Sequence, residues 1–250
     1  FAAGLCSRDE WEARLQAAAR AWARLTHPQI VQVLRAGWWD GAPYVATEYA
    51  ACGSLAAATG GRPYPVREAV RLVGELAGVV GYLHRQGVVH GNLKPANVLL
   101  AADGIPRVAD FRATGGLYQG LLAVEEDPAG VGHLVPEFIR DPSAEPRPHT
   151  DVYGLGLILY ELLTGSTVFK GATRREVLDR VLSADPVAPS QLNPTVPPAL
   201  DAVCLRCLQK DPWRRYVRAY DLLIRLRRVL DAPEGRGVPA GRPAPDRTDG

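Results

Sequence analysis

Hydrophobic positions recur with two different spacings along this chain. In residues 8–25 they follow a helical spacing in an Ala-rich stretch, which predicts an amphipathic helix that ends at His27-Pro28. Short apolar runs then alternate around Asp40-Gly41, the pattern of a hairpin between two strands. The first part of the chain is therefore predicted to be helix, strand, strand.

From Val66 onward the spacing of apolar positions is mostly helical. Residues 66–87 carry one apolar stripe and close at Gly87, which suits a helix C-cap. Two short β runs follow, joined through Asp103-Gly104. Residues 151–163 are apolar nearly all round and predict a buried helix. Further amphipathic helices are predicted over residues 173–182, 198–209 and 218–230.

Composition and charge narrow the class of protein. With 250 residues, 47% of them apolar and 22% charged, the chain can form one large core or two lobes that share one. The net charge of +2 is spread without long basic runs, so no nucleic-acid partner is expected. The most apolar run, residues 155–163, is too short to span a bilayer, which predicts a soluble piece. The few, scattered cysteines predict a reducing, cytoplasmic location. Because the first residue is not Met, we expect a fragment of a longer chain.

Cysteine and histidine positions give no metal site. Four cysteines are too few and too scattered for a disulfide framework. Cys204 and Cys207 form a C-x-x-C without a second ligand pair, so we predict two buried helical thiols. His84 is predicted to be a core or cap residue, and His133 and His149 are predicted to lie in loops without a partner at ligand spacing.

Three motifs follow one another at defined spacing. They are His90-Gly91-Asn92-Leu93-Lys94-Pro95-Ala96-Asn97, Asp110-Phe111-Arg112 and Val135-Pro136-Glu137. They resemble the H-R-D-L-K-P-x-N, D-F-G and A-P-E motifs of protein kinases. DVYGLGLILYELLTG and CLQKDPWRRY are similar to later segments of the same family. The chain thus resembles the eukaryotic-type (Hanks-type) bacterial serine/threonine kinases, as a degenerate, pseudokinase-like member.

The resemblance implies an α+β, protein-kinase-like fold with a mostly helical C-lobe and an incomplete N-lobe. Residues 1–53 would be the partial N-lobe, from its helix C onward, with the hinge. Residues 54–230 would be the C-lobe, and the Pro- and Gly-rich residues 231–250 a linker or disordered tail. The strand that carries the family's ATP-binding Lys would lie upstream, and the Glu that pairs with this Lys is replaced by Ala18.

Asn92 stands where the resemblance places the catalytic base. An amide is not a usable base, and general-base contributions are typically about 10²–10⁴-fold. Gly91 replaces an arginine that pairs, in many family members, with a phosphorylated activation loop. Arg112 replaces a glycine and adds a cation beside Asp110. These changes predict impaired catalysis.

Other positions retain groups that the family uses for nucleotide and metal. Asn97 and Asp110 are suitable Mg²⁺ ligands, and Lys94 could neutralise a γ-phosphate. The resemblance places Thr47 as gatekeeper, with the backbone of Glu48 and Ala50 facing an adenine. The implied cofactors are ATP and Mg²⁺, bound weakly or not at all, because these residues could equally be retained only for the folding of the loop.

The resemblance also implies structural roles. His90 and Asp151 are expected to hold the loop together through hydrogen bonds to backbone. Glu137 and Arg215 are expected to form a buried ion pair. Phe111 and Trp22 are expected to stack in the core between the lobes.

Two classes of function follow. In the first, the chain is a catalytically impaired pseudokinase of signalling that acts by binding protein partners, whose identity the sequence does not give. In the alternative, it is an active serine/threonine kinase that transfers the ATP γ-phosphate with another base. A third interpretation, a decaying gene product without a selected function, stays open.

Overall fold

This computed structural model describes Trp22 and residues 24–40, 42–110 and 128–231. Two strands of the described chain form a hairpin. Strands β1 (Val33–Trp39) and β2 (Ala42–Thr47) pair antiparallel and turn at Asp40, which has a left-handed φ of 47°. Asp tolerates this conformation better than most residues do. The hairpin predicted around Asp40 is confirmed.

A second pair of strands also bridges to residues that lie before β1 and after β2. Strands β3 (Val98–Leu100) and β4 (Pro106–Val108) pair antiparallel, with Val98 opposite Val108. Val108 also bridges to Ile30, and Leu99 bridges to Ser54. The two β runs predicted before and after Asp103 are therefore present.

Helices make up roughly half of the described chain. They are α1 (Leu55–Thr59), α2 (Val66–Arg85), α3 (Pro128–Val131), α4 (Pro136–Arg140), α5 (Pro148–Thr164), α6 (Arg174–Ser183), α7 (Pro189–Leu192), α8 (Pro198–Cys207) and α9 (Ala219–Asp231). Short 3₁₀ turns cover Pro95–Asn97 and Pro212–Arg214. All five helices predicted from residue 66 onward are confirmed, and the fold is the mixed, mainly helical one expected.

The ends of two helices differ from the prediction for local reasons. Helix α5 starts at Pro148, before the predicted Asp151, because the Thr150 hydroxyl accepts from the Arg147 amide at 3.1 Å and Pro148 suits a first turn. Helix α2 ends at Arg85, and the left-handed Gly87 (φ 71°) follows its cap residue Gln86.

Helix α5 forms the centre of the hydrophobic core. Its apolar side chains are fully or almost fully buried: Leu155, Leu157, Ile158, Leu159, Leu162 and Leu163. Helices α2, α8 and α9 pack against it. The predicted burial of this helix is confirmed, and Cys204 and Cys207 of α8 are buried as expected.

Two glycines let α5 approach its neighbours closely. A Cβ on Gly154 would lie 2.6 Å from Leu93 Cβ and 2.7 Å from the Leu93 carbonyl oxygen. A Cβ on Gly156 would lie 2.5 Å from Cys207 Cβ. Since neither position has space for a side chain, α5 fixes both the loop around Leu93 and helix α8.

Some predictions concern residues outside the described part of the chain. Ala18, Phe111 and Arg112 lie there, as do most of the predicted helix over 8–25 and the tail from 232. Trp22 is half-buried and packs against the core, but its predicted stacking on Phe111 involves an undescribed residue. Across the described ranges, no helix has the length and apolar character needed to cross a bilayer.

Candidate active site

The buried carboxylate of Asp151 organises the loop that begins at His90. Asp151 lies in the first turn of α5, and its Oδ1 accepts a hydrogen bond from the Gly91 amide at 2.7 Å. Its Oδ2 accepts from the His90 amide at 2.9 Å and from His84 Nε2 at 2.7 Å. Because α5 is held in the core, these bonds attach the loop to a fixed point.

His84 is a member of the site that the sequence interpretation missed. It was predicted to be a core or cap residue, yet its ring donates to Asp151 from the last turn of α2. Its side chain is only 10% exposed. The sequence signal that could have identified this role was the position of His84, one residue before the end of a helix that leads into the loop. His84 thus connects α2, the loop and α5.

His90 ties the loop to the end of β4. Its ring is fully buried, with Nε2 donating to the Ala109 carbonyl at 3.0 Å and Nδ1 accepting from the Asn92 amide at 3.2 Å. These partners require the neutral Nε2–H tautomer. Burial lowers the pKa of His90, and this effect exceeds the opposing influence of Asp151 and Asp110. The ring is therefore neutral near pH 7.

Asn92, Asn97 and Asp110 lie together and form a chain of amide hydrogen bonds. Asn92 Nδ2 donates to Asp110 Oδ2 at 2.9 Å, and Asn97 Nδ2 donates to the Asn92 carbonyl at 2.7 Å. The Ala109 amide donates to the Asn97 carbonyl at 2.9 Å. Asp110 has a left-handed φ of 58°. The sequence interpretation did not foresee that Asn92 would bond to the carboxylate of Asp110.

Lys94 lies between Asn92 and Asn97 in the sequence. It precedes the 3₁₀ turn Pro95–Asn97, is half-buried, and its carbonyl accepts from the Asn97 amide at 2.9 Å. Gly91 has a left-handed φ of 72°, a conformation that Gly adopts at little cost. The sequence interpretation recorded only the loss of an arginine at this position, whereas the backbone shows a conformational reason for Gly.

The hinge residues predicted to face an adenine follow β2. Thr47 is exposed at the end of that strand, and the Glu48 amide donates to the Gln32 carbonyl at 3.0 Å. Glu48 Oε1 also lies 3.0 Å from Arg107 Nη1 of β4. The Ala50 carbonyl accepts from Gly53 at 3.5 Å. The contact between Glu48 and Arg107 connects this segment with the second sheet, whose strand β3 directly follows Asn97.

Glu137 and Arg215 form the ion pair that was expected. Arg215 Nη1 and Nη2 donate to the two carboxylate oxygens of Glu137 at 2.9 and 2.8 Å. Arg215 also donates to the carbonyls of Gln209 and His149, at 2.8 and 3.0 Å. The guanidinium is buried and bonded on several sides, so the pair joins α4 to the segment before α9.

His133 was predicted to lie in a loop without a partner at metal-ligand spacing, and it lies in a turn. Its Nε2 lies 2.6 Å from Glu161 Oε1 of α5, and both side chains are mostly buried. Spacing along the chain does not show this hydrogen-bond partner, because the loop folds back onto α5. The described ranges hold no cluster of three or more His, Cys, Asp or Glu side chains suited to a metal.

The donor set near Asp110 fits a metal that arrives with a nucleotide better than a resident one. One carboxylate and one amide oxygen, from Asp110 and Asn97, match the small number of protein ligands that nucleotide-bound Mg²⁺ uses. Asn92 Nδ2 already occupies one oxygen of that carboxylate. A cation would therefore have to use the other oxygen or displace the amide.

Comparisons with known proteins agree with this geometry. A family model described as "Protein kinase domain" matches residues 7–223. Serine/threonine-protein kinase PknB of Mycobacterium leprae is 33% identical over 86% of this chain and 36% of its own length. PrkC of Bacillus subtilis is 29% identical over 90% of this chain and 35% of its own length. The chain thus spans about a third of these curated relatives.

Two further similarities come from Mycobacterium tuberculosis. Serine/threonine-protein kinase PknL is 33% identical over 94% of this chain and 59% of its own length. The crystal structure of the PknI kinase domain superposes with a TM-score of 0.66 at 24% identity, over 88% of this chain and 79% of the other. That likeness shows the fold, and the family model covers most of the sequence. This chain belongs to the protein kinase domain family.

Proposed function

We propose that this chain is a catalytically impaired kinase domain, a pseudokinase that acts by binding protein partners and binds Mg²⁺–ATP weakly at most. The observation that carries the proposal is the hydrogen bond from Asn92 Nδ2 to Asp110 Oδ2 at 2.9 Å. The amide stands at the family's base position, and it donates a hydrogen bond where a base would accept a proton.

The chemistry of phosphoryl transfer explains why this contact matters. Transfer requires a carboxylate that accepts the proton of the attacking hydroxyl, together with metal ions that neutralise the phosphates. Asn92 supplies no negative charge, and its N–H group engages the carboxylate that would hold the metal. One substitution thus weakens both requirements, and Ala18 removes the expected partner of any ATP-binding Lys.

The alternative is an active serine/threonine kinase. It is favoured by the names of the relatives, which are serine/threonine kinases, and by the presence of Lys94, Asn97 and Asp110. The ordered hydrogen bonds of Asp151 and His90 would serve an active loop equally well.

In both cases we assign residues 54–230 to the C-lobe and residues 1–53 to a partial N-lobe, in a cytoplasmic protein.

A phosphoryl-transfer assay separates the two functions. The full-length protein is incubated with Mg²⁺–ATP and a generic protein substrate, and Asp110→Ala serves as the control. We expect no transfer above that control. Transfer that Asp110→Ala abolishes would establish the active kinase and reject the impaired one.

Restoring variants test the cause of the impairment. Asn92→Asp alone is expected to stay inactive, since Arg112 and Ala18 leave the metal segment and the lysine clamp defective. Asn92→Asp, Arg112→Gly and Ala18→Glu together should yield measurable transfer when the natural N-terminus includes the strand Lys. Nucleotide binding is measured separately by thermal shift with and without Mg²⁺–ATP, where a large metal-dependent stabilisation would contradict weak binding.

A further inference from the structure

Four exposed apolar side chains lie close together at the start of α9 and just before it. We name them the α9 stripe: Trp213, Val217, Tyr220 and Ile224. Trp213 is 73% exposed, Val217 63% and Tyr220 50%. Scattered single apolar residues are normal at a surface, but a contiguous group that includes two aromatic rings marks an interaction site.

The members of the α9 stripe are adjacent in space. The Trp213 ring packs on the His149 ring of α5, with ring centroids 4.9 Å apart. Val217 lies just before α9, and Tyr220 and Ile224 are four residues apart within it, which places these two on one side of the helix. The opposite side of α9 enters the core through Leu222, Leu223 and Leu226.

His149 holds the indole of Trp213 before any partner arrives. An aromatic side chain already held in position loses little conformational entropy when it binds. Trp, Tyr and Arg are also the residue types that contribute most to binding energy at protein interfaces. The α9 stripe therefore combines exposure with pre-organisation, and both properties favour a specific partner.

Arginines surround the α9 stripe. The exposed ones are Arg214, Arg218, Arg225, Arg227 and Arg228. The nearby acids are engaged locally: Asp211 accepts from the Trp213 amide at 3.0 Å, and Asp221 accepts from the Arg218 amide at 3.1 Å. Arg214 also lies near Asp211, with its Nε 3.8 Å from Asp211 Oδ2. Because the exposed arginines outnumber these two carboxylates, the net charge offered to a partner is positive.

We propose that the α9 stripe and its arginines bind another protein through a segment that is apolar along one side and acidic beside it. Apolar anchors would cover Trp213 and Tyr220, and carboxylates would pair with Arg218 and Arg225. A lipid surface is the weaker candidate, because attraction to anionic lipid needs a denser basic cluster without interspersed acids. The surface lies outside the loop of Asn92, so it can serve an active or an impaired kinase domain.

The test uses a defined probe with the whole chain. The probe is a short, capped amphipathic helix with leucines on one face and glutamates beside them, and the matched peptide carries glutamine for glutamate. We expect the acidic probe to bind with an affinity that falls with added salt, and the glutamine peptide to bind at least about tenfold more weakly. Calorimetry or fluorescence anisotropy measures both peptides.

Matched variants locate the binding surface. Trp213→Ala with Tyr220→Ala, and separately Arg218→Gln with Arg225→Gln, should each weaken binding by about tenfold or more. Trp39→Ala on the β1–β2 hairpin and Arg175→Gln on α6 alter equally exposed residues and should leave it unchanged. Circular dichroism and the unfolding midpoint show that each variant is folded.

Three results would overturn the proposal. The first is an acidic probe that does not bind, or that binds the variants of the α9 stripe as well as the original chain. The second is self-association that Trp213→Ala abolishes, which would assign the surface to a second copy. The third is sedimentation with phosphatidylglycerol vesicles that depends on Arg218 and Arg225, which would assign it to lipid. The phosphoryl-transfer assay measures neither peptide binding, self-association nor vesicle binding. The proposal for the α9 stripe can therefore be rejected independently of the proposed function.

Discussion

At the scale of single residues, Asn92 has a contact that its position in the motif does not reveal. As an amide it can donate to Asp110, whereas a carboxylate at the same place could only accept. The substitution therefore removes a base and also provides Asp110 with a neutral partner. This second effect concerns stability, so it can be measured without any phosphoryl transfer.

We predict that Asn92→Asp makes the stability of the chain depend on divalent cations. Two carboxylates at this separation repel each other, so the variant should lose about 1–3 kcal/mol of unfolding free energy in EDTA. Mg²⁺ should restore part of this loss, and it should change the original chain little. Urea unfolding in EDTA and in Mg²⁺ measures both effects, and equal curves for the variant in the two buffers would contradict the prediction.

Asp151→Asn should be strongly destabilising. The amide cannot accept from His84, His90 and Gly91 at once, so at least one buried donor loses its partner. We expect a loss of about 3 kcal/mol or more in the free energy of unfolding. Asp179→Asn, on an exposed position of α6, is the control and should change it by less than about 0.5 kcal/mol. Similar values for both variants would show that the Asp151 contacts are dispensable.

At the scale of elements, close packing of α5 determines where the loop around Leu93 lies. Gly154 has no space for a Cβ, whereas Gly78 of α2 has no heavy atom within 4 Å of that position. The same substitution, Gly to Ala, therefore meets close packing at Gly154 and open space at Gly78. Comparing the two variants tests whether α5 positions the loop.

Gly154→Ala should lower the free energy of unfolding by about 1–3 kcal/mol, because Leu93 or α5 must move. Gly78→Ala should raise it by about 0.4–1 kcal/mol, since Ala restricts the unfolded chain and fits the helix. Chemical denaturation of both variants measures the difference. If Gly154→Ala were as stable as Gly78→Ala, close packing at Leu93 would not constrain the loop.

The elements also show how far sequence reasoning can reach. Helix α5 was predictable because its apolar residues form a nearly continuous run, and the hairpin because its strands flank a turn at Asp40. The contacts of His84 and His133 were not predictable, since each pairs with α5 across a long interval of sequence. Periodicity determines which side of a helix is buried, but it does not identify a polar partner on another element.

At the scale of the whole molecule, burial of neutral histidines makes the fold sensitive to acid. Burial is the largest influence that lowers the pKa of His27, His90 and His149 below the ordinary value of 6.5. The unfolded chain therefore binds more protons than the folded chain between those lowered pKa values and 6.5. By linkage, the free energy of unfolding falls as the pH decreases through this range.

We predict that the unfolding midpoint is lower at pH 5 than at pH 7, with His90 contributing most because its ring is the most buried of the three. Thermal unfolding across this pH range provides the measurement. NMR titration of the imidazole resonances serves as the control, since a His90 ring that protonates near its ordinary pKa in the folded chain would remove the cause. A midpoint that rises towards acid would contradict the prediction.

The buried thiols of α8 have a practical consequence for following how this molecule opens. Burial raises the pKa of Cys207 to about 12 and that of Cys204 well above its ordinary value, whereas Cys52 is exposed. Thiolates react and buried thiols do not, so a maleimide should modify Cys52 within the folded chain and leave Cys204 and Cys207 intact. Their later modification, counted by mass, would record the rate at which α8 separates from α5. The two buried thiols therefore serve as built-in probes of the rate at which the core opens.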